Sequence, residues 1–324
     1  MTPVEPSACV APPPDLPVRP AAELHGVGVR YGAVWALQNV TATFPRGASG
    51  LLGANGAGKS TMIKALLGLV VPDRGAMTVL GASVGDAPVV ARARVGYMPE
   101  VDAHIPGMNA VSCVAYCAEL AGLPRADAMQ RAHEVLYYVG LGDARYRMVD
   151  TYSTGMRQRI KLAQALVHDP DLLLLDEPTN GMDPKGRSDM LELIRDISHR
   201  KELDLIVASH LLPDVDYTCD HVVVLDRGRV AAQGPIAGLK AHGRRVFELR
   251  VKGDPDASGR FIETLRSAGT ECHMTDDAMR VFMPEALSTR MLFELASQQG
   301  LQIRHLRPSV PTLEDVFADA IGGE

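Results

Sequence analysis

Nine consecutive residues, Gly53-Ala54-Asn55-Gly56-Ala57-Gly58-Lys59-Ser60-Thr61, have the types and spacing needed to hold a polyphosphate. They fit the pattern G-x-x-x-x-G-K-[ST]. Gly53, Gly56 and Gly58 lack the Cβ that would obstruct positive φ or close approach, so successive N–H groups can turn inward on an anion. Lys59 adds a full charge directed at the β- and γ-phosphates, and the Ser60 hydroxyl is suited to ligate Mg²⁺. The run Ala48 to Leu52 before the loop reads as a strand, and Met62 to Leu67 after it as a helix, whose N-terminal partial charge would face the same anion. Strand, glycine loop and helix together predict a site for a nucleoside triphosphate with Mg²⁺.

Carboxylates supply the next part of the chemistry. Leu172 to Leu175 is an unbroken apolar run, as expected of a central parallel strand buried on both faces, and Asp176 and Glu177 follow it. Ligands of open α/β sheets sit at that end of the strands. Asp176 is therefore placed to hold Mg²⁺, and Glu177 to polarise a water attacking the γ-phosphate. In a merely structural role, two adjacent carboxylates there would be repelling charges at a buried edge. The strand Leu203 to Ser209 delivers His210 to a similar position, as a candidate γ-phosphate contact. Val95 to Glu100 is another strand ending in a carboxylate.

Two further positions complete the set. Tyr31 can present a flat face to a purine ring; without the loop that follows it would be an ordinary half-buried strand tyrosine. Ser153 and Gly155 open a helix whose apolar positions are Met156, Ile160, Ala163 and Val167. Ser153 is a good N-cap on any reading, but a helix start of this kind is also a second anion site. One chain with two phosphate-facing helix starts suggests a site completed from two sources.

The elements that must position these residues form an alternating α/β plan. Residues 1–21 carry prolines at 3, 6, 12, 13, 14, 17 and 20 and read as a disordered leader, with a proline-rich recognition tail as the alternative. Residues 22–44 read as strands. From about 107 to 152 the period becomes helical, with Met129, Ala132, Val135, Leu136 and Val139 on one face, which marks a helical insertion in the nucleotide-binding sheet. Residues 244–324 follow the order β-α-β-β-α-β, a small α+β ferredoxin-like unit with no residue that looks catalytic. At a net charge of −6 the chain has no electrostatic footprint for nucleic acid. No apolar run approaches the roughly 18 residues of a spanning helix, and no secretory signal is visible. Five cysteines, an odd count without C-x-x-C spacing, fit a reducing cytosol better than a disulfide or metal framework.

With these motifs in order, residues 22 to about 238 resemble the nucleotide-binding subunit of ABC transporters. The resemblance implies that Tyr31 stacks on adenine, that residues 53–61 are the Walker A motif, and that Tyr152-Ser153-Thr154-Gly155-Met156 is the signature. Leu172 to Glu177 then corresponds to Walker B with the catalytic glutamate, Asn180 to Asp183 to the D-loop, and His210 to the switch histidine. It further implies ATP-binding by Asp183, a homodimer in which Ser153 and Gly155 act at the partner's ATP, and a separate transmembrane permease that holds the subunit at the inner face of the membrane. The C-terminal segment Pro311 to Phe317 looks like the tail of ATPase subunits of ABC-2-type exporters. Departures from the family pattern are Glu100 where a glutamine is usual, Tyr152, Thr154 and Met156 within the signature, and Asn180 and Met182 in the D-loop. Glu100, with Ser60 and Asp176, is expected at the metal. The alternatives are a soluble ABC-type ATPase acting in DNA repair or translation, disfavoured by the lack of coiled-coil, zinc or basic features, and a non-hydrolysing sensor, disfavoured by Glu177 and His210.

Overall fold

The computed structural model describes residues 19–317, apart from 103, 202, 242–244, 275–277, 285–286, 310–311 and 316. The leader at residues 1–18 lies outside the described residues. The chain begins with two long strands, β1 (Ala22–Tyr31) and β2 (Val34–Phe44), paired antiparallel. β3 (Ala48–Leu52) is wholly buried and leads through the glycine loop into α1 (Lys59–Leu66). β4 (Arg74–Val79) and β5 (Ala82–Ser83) return to the first pair to make a four-stranded sheet in the order β2-β1-β4-β5. After α2 (Pro88–Arg92) comes β6 (Val95–Met98), and then the helical insertion, α3 (Ala110–Leu120) and α4 (Arg125–Tyr138).

The second half supplies the rest of the main sheet. α5 (Thr154–Leu166) is capped by Ser153, whose hydroxyl accepts from the Met156 amide. β7 (Leu172–Asp176), α6 (Pro184–Lys201), β8 (Asp204–Ser209), α7 (Leu212–Thr218), β9 (His221–Asp226), β10 (Arg229–Pro235) and α8 (Ile236–Ala241) follow. The six-stranded order is β10-β9-β3-β8-β7-β6, in which β9, β3, β8, β7 and β6 run parallel and β10 antiparallel at the edge. All five residues of β7 are buried, which is why its sequence lacks polar alternation. Alternate residues of β7 serve two apolar cores: Leu173 and Leu175 pack with the helical insertion, Leu172 and Leu174 with the antiparallel sheet.

The sequence reading places most of these elements within a residue or two. The apolar stripe of α4 is one correction: Ala128, Ala132, Val135 and Leu136 are buried, whereas Met129 is 36% exposed. β9 and β10 are elements the sequence reading did not place.

The last unit comprises β11 (Arg245–Lys252), α9 (Pro255–Ser267), β12 (Glu271–Met274), β13 (Met279–Met283), α10 (Arg290–Gln298) and β14 (Gln302–Ser309). Its strand order β12-β13-β11-β14 is the ferredoxin-like one, and Phe261, Leu265, Leu292 and Ala296 of the helices form its core with Leu249 and Val281 of the sheet. The segment after β14 then turns back. Thr312 donates through its amide and hydroxyl to Asp315 (2.6 and 2.9 Å), and Asp315 accepts a fork from Arg280 of β13 (2.9 and 3.2 Å). Leu313, 2% exposed, joins the main nucleotide-binding core, with Phe317 packed against it.

Candidate functional site

Four parallel strands end on one side of the sheet and deliver the predicted residues there: β3 the glycine loop, β6 Glu100, β7 Asp176 and Glu177, and β8 His210. The loop requires its glycines. Gly58 has φ +108, and a Cβ there would stand 2.6 Å from the Ala36 carbonyl oxygen; one at Gly53 would stand 2.6 Å from that of Leu225. Loop and strand ends enclose a cavity of about 520 Å³. It is lined by Ala54, Asn55, Gly56, Gly58, Lys59, Ser60 and Thr61 of the loop and helix α1, and by Tyr31, Glu100, Glu177 and His210. Ala36 and Asn180 also line it. Asn180 enters the sequence analysis only as the first D-loop position and not as a site residue; its place directly after the Asp-Glu-Pro-Thr run is the signal available. Ala36 carries no side-chain chemistry that a sequence could betray.

Within the cavity, Lys59 is 7% exposed; its Nζ donates to the Gly53 carbonyl at 2.7 Å and stands 3.4 Å from Glu177 Oε1. The other Glu177 oxygen lies 2.9 Å from His210 Nδ1. Glu177 has φ +50, a left-handed backbone that bulky residues enter only when held there. Its amide donates to Ala208 of β8 and its carboxylate is gripped by Lys59 and His210, which together hold it. Asp176 is 2% exposed, and its Oδ1 has no hydrogen-bond partner. Burial raises the Asp176 pKa, the nearby Ser60 hydroxyl opposes this, and the Glu100 and Glu177 carboxylates raise it further. Glu100 Oε1 accepts a long contact from Asn180 (3.5 Å).

Other predicted residues lie apart from this cavity. Gly53 and Ala57 form the base of the loop, Ala57 being 4% exposed. Ser153 and Gly155 open α5 on the signature side, next to the turn that carries Gly181 and Met182. Asp183 precedes α6 and its carbonyl accepts from the Arg187 amide. Gln158 of α5 donates to the Asn180 carbonyl at 2.9 Å, so the signature helix and the D-loop are bonded within one chain.

A glycine loop at a helix start, a lysine, and a carboxylate held by lysine and histidine at adjoining strand ends define an ATPase of the phosphate-loop class. The comparisons with known proteins narrow the class. The sequence model of the ABC transporter family matches residues 37–180. The chain is 32% identical to the linearmycin resistance ATP-binding protein of Bacillus subtilis, over 90% of this chain and 95% of that one. It is 34% identical to the daunorubicin/doxorubicin resistance ATP-binding protein of Streptomyces peucetius, over 93% and 92%. A solved ATP-binding subunit of an ABC transporter superposes with a TM-score of 0.61 at 29% identity, covering 68% of this chain and 92% of that one. The chain therefore belongs to the ABC transporter family, as an ATP-hydrolysing subunit.

Proposed function

We propose that two copies of this chain assemble head to tail, with each ATP lying between the Lys59 loop of one protomer and the Ser153–Gly155 helix start of its partner. The observation that carries this reading is that Glu177 meets Lys59 and His210 inside the cavity, whereas Ser153 and Gly155 stand outside it. A polyphosphate in one protomer's cavity thus leaves that protomer's second anion-binding helix start free for another.

In this site the backbone amides of residues 54–58 and Lys59 bind the β- and γ-phosphates, and Tyr31, 52% exposed at the cavity rim, stacks on adenine. The unpartnered Asp176 Oδ1, the Ser60 hydroxyl beside it and the Glu100 carboxylate fit Mg²⁺, which takes one or two carboxylates and leaves its remaining positions to phosphate and water. Bound with ATP, the ion neutralises charge on the phosphate oxygens. Glu177 orients the attacking water and accepts its proton, and His210 holds Glu177 and reaches the γ-phosphate. ATP closes the pair and hydrolysis opens it.

That motion drives a separate membrane permease. Among the described residues no helix is long and apolar enough to cross a membrane. Val101 and Ile105 after Glu100, and Tyr116 and Leu120 on α3, are large apolar side chains left exposed, which suits a protein partner on that side. The resistance names of the relatives favour export, with the subunit on the cytoplasmic side of the membrane. The net charge of −6 favours a protein partner over nucleic acid. The deciding experiment is light scattering on Glu177→Gln in Mg-ATP: a dimer is expected with nucleotide and a monomer without it. A monomer in both would overturn the shared site.

A further inference from the structure

The cavity holds a carboxylate, Glu100, where the family pattern has a neutral glutamine. Glu100, Asp176 and Glu177 thus bring three carboxylates to a site that must accept a polyanion. Lys59 answers one of them, through its contact with Glu177. Among the described residues, the other buried cation beside this group is Lys161 on α5, five residues beyond the signature, and its side chain is 2% exposed. Its Nζ donates to the carbonyls of Pro99 (2.9 Å) and Glu100 (2.8 Å) and lies 4.0 Å from Asp102 Oδ1. Arg157, one helical turn earlier, holds the other Asp102 oxygen at 3.2 Å. The segment that carries Glu100 is therefore gripped by two cations of the signature helix.

A buried ammonium is unfavourable unless bonds and charges compensate it. Two carbonyls alone could be served by a neutral donor, so the charge at Lys161 needs its own account. Its Nζ sits against the backbone of Glu100 and 4.0 Å from Asp102 Oδ1, which places a full positive charge beside the acidic segment 100–102. We propose that Lys161 is the counter-charge that makes a carboxylate tolerable at position 100 of an ATP site, a positioning residue that fixes the Glu100 backbone and offsets its charge toward the polyphosphate. Glu100 and Lys161 then act as a pair that stands in for the neutral glutamine.

The inference rests on ATP occupying the Lys59 cavity, and the test separates the two. Affinity for a fluorescent ribose-labelled ATP is measured on the full chain, with and without Mg²⁺, for Lys59→Ala, Lys161→Gln, Glu100→Gln and the double variant Lys161→Gln/Glu100→Gln. Lys59→Ala that binds like the wild type would remove the cavity assignment and the inference with it. With that control behaving as expected, Lys161→Gln, which keeps a donor but loses the charge, should weaken metal-free binding about tenfold, the scale of removing one full positive charge from the neighbourhood of a bound polyanion. Adding Glu100→Gln should restore binding to within about threefold of wild type, because the two sites couple. Wild-type affinity in Lys161→Gln, or a double variant as weak as the single, would reduce Lys161 to a bolt for two carbonyls. Should Lys161→Gln fail to fold, Glu100→Gln alone decides: tighter metal-free binding supports the pair, and unchanged binding overturns it.

Discussion

Lys59 Nζ stands 3.4 Å from Glu177 Oε1, with both side chains 7% exposed, so the cation of the phosphate loop and the carboxylate read as catalytic are in contact across two strand ends. A triphosphate entering the cavity competes with Glu177 for that ammonium. Replacing Lys59 by Ala therefore removes the phosphate ligand and strands a buried carboxylate at once. ATP affinity should fall about 10–100-fold, the scale of lost bonds to charged groups, and turnover should vanish. Isothermal titration with ATP checks the first, and phosphate release the second.

Glu177→Gln keeps the shape of the side chain but cannot take a proton from water. The chemical step should slow by about 10²–10⁴-fold with ATP affinity preserved. Since bound nucleotide favours the closed pair by mass action, this variant should elute as a dimer in Mg-ATP. Adding Ser153→Arg places a bulky chain where the partner's γ-phosphate would sit and should return it to a monomer, although each Lys59 loop is intact.

Glu100→Ala should raise the Mg²⁺ concentration at half-maximal ATPase activity while metal-free ATP binding tightens. A Mg²⁺ titration identical to wild type would leave Glu100 as an ordinary strand-end charge.

Asp176 has its pKa raised, mainly by burial. A carboxyl group with a folded pKa above its unfolded one binds more protons in the folded state. Its ionisation therefore subtracts from stability as pH rises through the raised pKa, and the loss persists at neutral pH. Asp176→Asn should accordingly raise the melting temperature of the nucleotide-free protein at pH 7, by about 2–4 °C for each kcal/mol recovered, while abolishing Mg²⁺-dependent turnover. The gain should shrink as the pH is lowered toward the carboxylate range. Calorimetry across pH 4–8 reads it directly, and a destabilised variant would contradict the argument.

Leu313 lies beyond the ferredoxin-like unit in sequence yet in the core of the nucleotide-binding body. Leu313→Ala should cost about 2–5 kcal/mol, the range for a buried leucine, without altering ATP affinity, because the residue is remote from the cavity lining. A chain ending at residue 243 should still fold and bind ATP, with a lowered melting temperature. Denaturant melts beside ATP titrations check both variants.

The parts legible in the sequence were those with local signatures: the glycine loop, the leucine run of β7 with its two carboxylates, and the alternating strands of the C-terminal unit. Their chemistry is fixed by neighbours within a few residues. What escaped depends on contacts between distant segments. Nothing near Lys161 announces that its ammonium reaches Pro99 and Glu100, because the helix that carries it has an unexceptional amphipathic pattern. The α4 stripe was misplaced at Met129 because Ala128 is small enough to face the packed side and leave the longer side chain outside. The return of Leu313 was invisible for the same reason: Leu313, Val316 and Phe317 are spaced as one helical face, but that spacing does not say which body the face packs against.

That return changes what the C-terminal unit can be. A segment joined to a body at one end is free to swivel about its linker, whereas this one is fastened at both: by the chain entering β11 and by Leu313 and Asp315, the latter clasping Arg280 of β13. The sheet is thus a handle and not a pendant. A force on the sheet reaches the nucleotide-binding body through both the chain entering β11 and the Leu313 segment. Lengthening the stretch between β14 and Thr312 would slacken the handle while leaving every contact at its ends available to form.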